Sequence, residues 1–235
     1  MKVVMKLILH DIEQELSSVG LKILGSFNPL PTDEVPGCNQ DCSLILVGNA
    51  GPDMWRVFSG AGFDEGERNP MDNWSRRVLN DIGNALSGRF DIDIDALFPF
   101  DGPPYQPFQR WAARSGCVYP TPIGPMLHEK YGMWHAYRGA LIIAATIDLN
   151  TQTADASPCL TCQKKPCLTT CPVSAFSVDG YDVPGCLDLL EREPEGACFT
   201  GGCLARKACP VGQPYIYKNT QARFHMEKFL AAHRN

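Results

Sequence analysis

The sequence predicts an α+β chain in two unequal parts. Strand-sized apolar runs and an amphipathic helical stretch are mixed over the first 150 residues. Eight of the eleven cysteines crowd between Cys159 and Cys209, and a polar, linker-like stretch, Asn150 to Pro158, lies ahead of them. We place the parts at 1–150 and 151–235. At 235 residues and 44% hydrophobic, the chain can bury one good core beside a small second module.

The elements of the first part follow from local pattern. Ser43 to Val47 (SLILV) is an unbroken apolar run of strand length, closed by a turn at Gly48-Asn49-Ala50-Gly51. Pro52 suits the first position of a short helix. From Asp72 to Leu86, Trp74, Val78, Leu79, Ile82 and Leu86 recur at helical spacing, with Asp72 as the expected N-cap. Phe98 to Pro107 contains Pro99, Pro103, Pro104 and Pro107 and predicts a stiff loop, either a surface connection or one wall of a pocket. It leads into a short helix from Phe108 to Arg114. Gly139 to Ile147 (GALIIAATI) is a second buried strand. No internal repeat or low-complexity tract is evident.

Charge and hydropathy narrow the function classes. The net charge is −5 with no basic stripe, so nothing electrostatic argues for a nucleic-acid partner. Lys218, Arg223, Lys228 and Arg234 read as a solvated helix face. Met1 to Leu9 is apolar but is interrupted by Lys2 and Lys6 and lacks the cleavage site of a secretory signal. No window reaches the roughly 20 apolar residues needed to span a bilayer. The expectation is a cytoplasmic protein with no membrane association. There, eleven cysteines favour metal or cluster ligation over a disulfide framework.

The central motif is Cys159-x2-Cys162-x4-Cys167-x3-Cys171-Pro172, followed by Cys186 and then Cys198-x4-Cys203-x5-Cys209-Pro210. Bacterial two-cluster ferredoxins carry C-x2-C-x2-C-x3-C-P, in which three thiolates hold one cubane and the fourth reaches the other. The present run has two extra residues between Cys162 and Cys167, which a loop can absorb. The crossing rule, applied in both directions, gives Cys159, Cys162, Cys167 and Cys209 to one 4Fe-4S cluster, and Cys171, Cys186, Cys198 and Cys203 to a second. Two structural zinc sites would also take eight thiolates. They usually show paired C-x2-C knuckles, whereas one such pair occurs here and Cys-Pro occurs twice. Disulfides are the third alternative. Cys38 and Cys42 have no partner histidine nearby and are expected as free thiols, with a redox pair as the alternative; Cys117 is expected as a packed residue. Gly48-x-x-Gly51 lacks the spacing of a nucleotide-binding loop.

The arrangement from Cys159 to Cys209, with its isolated Cys186, resembles the cluster domain of the epoxyqueuosine reductases and is similar to that of the reductive dehalogenases. The resemblance implies clusters that pass electrons to cobalamin. The first part resembles the vitamin B12 processing enzymes (CblC-type, MMACHC-like), which decyanate or dealkylate cobalamin. The matching stretches are Ser43 to Val47, Asn69-Pro70-Met71-Asp72, and above all Ile123 to Ala140 (IGPMLHEKYGMWHAYRGA). There the family pattern runs histidine, aromatic-Gly-x-Trp, Arg-Gly, then an apolar strand. The resemblance covers most of residues 40 to 150. Together the two parts imply a nitroreductase-like, CblC-like domain followed by a small bacterial-ferredoxin-like domain. The sequence ends at Asn235 without the helical-repeat extension of the epoxyqueuosine reductases, so a tRNA substrate is not expected. The B12 processing enzymes use thiols or flavin and have no cluster domain, so their dealkylation chemistry does not transfer directly.

The resemblance places cofactor-binding residues between His128 and Gly139. Arg138 matches the family's site arginine and offers forked donors to an amide, phosphate or carboxylate; the alternative is a structural pairing with Glu129 or a carbonyl. Gly132 and Gly139 permit close backbone approach, and Trp134 offers an apolar face. His128 and His135 are expected as hydrogen-bonded residues at the cofactor edge rather than metal ligands. Tyr131 and Tyr137 are further proton donors. No catalytic residue is assigned. The implied function is transfer of electrons from an external donor (a ferredoxin, flavodoxin or reductase) through two clusters to a corrinoid or other small molecule. A flavin is the alternative cofactor. The rival reading is a non-catalytic ferredoxin-type carrier with an N-terminal docking domain.

Overall fold

The computed structural model describes residues 2–38, 41–62, 67–149, 156–177 and 180–234. Positions 150–155 of the expected linker lie outside them. The elements run α1 (Lys2–Ser18), β1 (Lys22–Phe27), β2 (Ser43–Ala50), α2 (Asp53–Gly60), α3 (Pro70–Phe90), β3 (Ile94–Leu97) and α4 (Phe108–Arg114). They continue with β4 (Val118–Tyr119), β5 (Leu127–His128), β6 (His135–Ile143), α5 (Pro158–Thr161), α6 (Pro166–Thr169), β7 (Phe176–Ser177) and β8 (Gly180–Tyr181). The last are α7 (Val183–Arg192), α8 (Ala197–Gly201), α9 (Leu204–Lys207) and α10 (Asn219–Ala232). Among the described residues no helix is long and apolar enough to cross a membrane.

Two compact units result: Met1–Cys117 with Ala136–Ala154, and Val118–His135 with Asp155–Asn235. The second therefore includes an excursion, residues 118–135, drawn from ahead of position 150. Its apolar residues explain this, because Tyr119, Ile123, Leu127 and Met133 share a buried cluster with Ala205 and Cys209.

The first unit is built on a four-stranded sheet of order β1-β2-β6-β3, with β1 antiparallel to β2 and β3 antiparallel to β6. All eight residues of β2 are buried, as an unbroken apolar run predicts. The strand runs on through Gly48 and Asn49, where a turn was expected. Gly48 pairs with Lys22 of β1, and only glycine fits there because a Cβ would strike the Ala136 carbonyl and Leu24 of the adjoining strands. β6 likewise starts four residues before the expected Gly139 and ends at Ile143. Ile147 is nonetheless buried, and its N–H donates to Ser43 Oγ at 2.8 Å. α3 begins at Pro70 rather than Asp72, with Asn69 as a left-handed N-cap, so Asp72 sits in the first turn. Trp74, Leu79, Ile82 and Leu86 face inward as the periodicity predicts. α1 turns Ile8, Ile12 and Leu16 inward, one helical turn apart. α4 has the expected bounds. The proline-rich segment before it exposes Tyr105, while Phe98 and Phe100 lie under the Arg76 guanidinium, at 4.6 and 5.1 Å.

Cys38 and Cys42 form a disulfide, Cα atoms 5.8 Å apart, which corrects the expectation of free thiols. The residue before each cysteine, Gly37 and Asp41, has left-handed backbone, and the Cα separation lies within bridging distance. Cys117 is half-buried and its thiol donates to the Ser115 carbonyl at 3.6 Å.

Candidate metal centre

The second unit consists largely of short pieces around its cysteines. α5 and α6 are identical tetrapeptides, Pro-Cys-Leu-Thr, a duplication that escapes a search for long repeats. In each, proline opens a single helical turn and the next residue is a cysteine. Ser157 caps the first, its Oγ accepting from Cys159 N–H at 3.3 Å. Asp182 caps α7, accepting from Gly185 N–H at 3.0 Å, and so fixes the turn that carries Cys186.

All eight cysteines of the motif line one of two cavities. The smaller, about 40 Å³, is walled by Cys159, Cys162, Cys167 and Cys209 with Pro122, Leu127 and Val211. The larger, about 400 Å³, is walled by Cys171, Cys186, Cys198 and Cys203 with Ile123, Phe176, Tyr181 and Phe229 among its apolar residues. Among the described residues no three of His, Cys, Asp or Glu gather closely enough to hold a single metal ion. The thiols are arranged around a volume.

The electrostatics follow the same sorting. Burial pushes the thiols of Cys167, Cys186, Cys198, Cys203 and Cys209 up, and neighbouring cysteines add to the effect. In each case those neighbours belong to the same set of four. A thiol so placed stays protonated unless a cationic centre compensates its negative charge, which fits the donor set to an iron-sulfur cluster. Backbone N–H groups already point at the sulfurs. Ala175 N–H donates to Cys171 Sγ at 3.3 Å, and Cys198, Cys203 and Cys209 accept from the backbone at Leu204, Ala205 with Arg206, and Val211. The Tyr181 hydroxyl bonds to Cys186, and burial pushes that phenol up.

The candidate cofactor residues fall into two groups. Gly132, His128, Trp134 and His135 lie in the second unit. Gly132, in left-handed conformation, does permit a close approach, but of the chain itself. A Cβ there would strike the Val211 carbonyl, and one at Gly212 would strike the Tyr131 carbonyl. The Gly132 N–H and carbonyl bond back to His128, both at 2.8 Å. Trp134 is 1% exposed, its face covered by the Arg206 guanidinium at 4.5 Å and its edge by Tyr217 at 5.3 Å. Arg206 Nε also donates to the Met133 carbonyl at 2.9 Å. The His128 and His135 rings meet edge-on at 5.6 Å. His128 Nδ1 accepts from Lys130 N–H at 3.1 Å, and His135 Nδ1 lies 3.0 Å from the Gly132 carbonyl. Burial lowers the His135 pKa to about 4, so the ring is neutral near pH 7. Tyr131 packs between His128 and Tyr215, and burial pushes its phenol up.

Arg138 belongs to the first unit. Its Nε donates to Asn49 Oδ1 at 2.9 Å, a partner hidden from the sequence because Asn49 reads as part of a turn. Burial pushes the Asp72 carboxyl up, and the charges of Arg138 and Arg76 oppose that shift. Tyr137 is pushed up by burial and by Cys117. Pattern reading also missed Arg206, Tyr217 and Gln221. Gln221 is fully buried with neither amide atom hydrogen-bonded, and Trp134 Nε1 is in the same condition.

No protein-family profile matches the chain, and no curated protein does. Solved structures are similar. A selenomethionine-labelled epoxyqueuosine reductase superposes with TM-score 0.52 at 14% identity, over 94% of this chain and 69% of that one. An epoxyqueuosine reductase bound to an epoxyqueuosine-modified tRNA-Tyr stem loop gives 0.50 at 15%, over 92% and 68%. The C. elegans B12-trafficking protein CblC, a human MMACHC homologue, gives 0.50 at 15%, over 96% and 92%. At such identities the likeness is one of fold: this chain has the mixed helix-and-sheet architecture that epoxyqueuosine reductase and CblC share.

Proposed function

We propose that the chain is an iron-sulfur redox protein holding two 4Fe-4S clusters, one on Cys159, Cys162, Cys167 and Cys209 and the other on Cys171, Cys186, Cys198 and Cys203. The observation that carries this reading is that the eight thiols line two cavities in the crossed pattern, each Cys-Pro cysteine belonging to the set of the other run. Such clusters supply single electrons at low potential when bound. The chain's own residues set the conditions. N–H donors at Ala175, Leu204 and Val211 stabilise sulfur-centred negative charge, while Ile123, Phe176 and Phe229 keep water from the second set.

The recipient of the electrons, in this reading, is a corrinoid. Its support is the fold shared with CblC, which is named for B12 trafficking, together with the family-like stretch from His128 to Arg138. Arg138, held by Asn49, would meet an amide or phosphate edge.

Anaerobic reconstitution tests the cluster reading. Iron and sulfide in equal amounts, with a visible absorption that bleaches with dithionite, are expected, and Cys209→Ser should lose one cluster. A colourless protein containing zinc, or a Cys209→Ser variant with its full metal load, overturns it. Titration of the reconstituted protein with cobalamins should shift the corrinoid spectrum. Isoalloxazine fluorescence in an extract would assign flavin instead. Absence of either cofactor, with rapid electron delivery to a partner, would make the chain a carrier.

A further inference from the structure

We infer that electrons enter at the first cysteine set, through a docking face centred on Leu160 that accepts a small acidic electron-carrier protein. This rests on the cluster reading above. Leu160 is 79% exposed, more than any other large apolar side chain among the described residues. A lone exposed leucine is ordinary on a protein surface. This one is flanked by Cys159 and, two positions on, Cys162, both in the wall of the smaller cavity. A partner touching Leu160 therefore sits within one or two residues of two cluster ligands.

Charge identifies the partner. Residues 156–177 contain Lys164 and Lys165, both exposed, and no acidic residue, in a chain of net charge −5. The segment bearing Cys186 carries no such excess: Asp182, Asp188, Glu191, Glu193 and Glu195 lie between 182 and 195, where Arg192 meets Glu193 and, from α10 and its end, Arg223 and Arg234 meet Glu195 and Glu191. An acidic carrier is thus drawn to the first set, whose segment carries positive charge with no acid to offset it, in preference to the second. An apolar centre with a charged rim is the usual anatomy of a small, transient contact. The step moves one electron from the reduced carrier to the oxidised cluster on Cys159, Cys162, Cys167 and Cys209. The carrier leaves oxidised by one electron, and no bond or proton is transferred.

The test is stopped-flow reduction of the reconstituted full chain by a reduced acidic ferredoxin at several ionic strengths. The second-order rate should fall as salt rises. Leu160→Glu, and the pair Lys164→Glu with Lys165→Glu, should each lower it on the order of tenfold at low salt. Lys228→Glu, a charge reversal at an exposed position of α10, should leave it unchanged. Reduction by dithionite should be the same in all four proteins. Variants with full iron and sulfide that ferredoxin reduces at the unmodified rate would overturn the docking face alone. An unmodified protein that takes up neither iron nor sulfide would overturn the cluster reading, and this inference with it.

Discussion

In the first unit a four-stranded sheet is covered by helices of up to 21 residues, and Ile12, Leu46 and Trp111 are completely buried. In the second unit four of the six helices among the described residues are four or five residues long, and cysteines pack against its small buried clusters. Helices so short are not stable alone. The contrast teaches that the first unit is held by burial and the sheet, while the second, with three small buried clusters among short helices, would on the proposed reading depend on the clusters its cysteines hold.

Removing the metal should break that comparison most visibly. Chelation of iron under reducing conditions should abolish amide-exchange protection between residues 156 and 213 while leaving β2 and β6 protected; equal loss in both units would refute the division. Next in size is Leu46→Ala, which should cost about 2–5 kcal/mol of unfolding free energy with the iron content of the folded protein unchanged. Acid should then act on the second unit. His135 titrates near 4 folded against 6.5 unfolded, so the unfolded state binds the extra proton between these values. Stability is full above pH 6.5 and falls toward pH 4, by up to about 3 kcal/mol. Urea titrations at pH 7 and 4.5 should show a smaller loss for His135→Gln than for the unmodified chain. Gln221→Met should raise stability by about 1 kcal/mol, because it removes a buried amide with no hydrogen-bond partner. A Gln221→Met variant that is less stable would mean the amide is satisfied in solution. Smallest is Arg234→Ala, which removes a surface ion pair with Glu191 and should change the melting curve by less than about 0.5 kcal/mol.

The sequence made some of this legible because the signals are local. Pro107 marks the start of α4 and Gly116, in left-handed conformation, follows its end, and cysteine spacing anticipates which four thiols line each cavity. Where distant chain decides, pattern reading falls short. β6 begins at His135 because it pairs in the sheet, though Ala136 to Arg138 carry no unbroken apolar run. Gly48 and Asn49 look like a turn, but β2 runs through them, Gly48 pairs with the distant Lys22, and the glycine is there because the Ala136 carbonyl needs the space. Residues 118–135 belong with the cysteines because their apolar side chains pack there, which no linker composition reveals. The Cys38–Cys42 bridge is accompanied by two left-handed residues, Gly37 and Asp41, whose backbone angles are not written in the spacing.

The reciprocal contact of Gly132 and Gly212 gives the excursion a job as a gauge. The carbonyls at Val211 and Tyr131 each occupy the place of a missing Cβ, so the two backbones are set at a fixed spacing three residues beyond Cys209. A single methyl group added at Gly132, seventy-seven positions upstream of that cysteine, would wedge the two strands of chain apart and carry the sulfur off its mark.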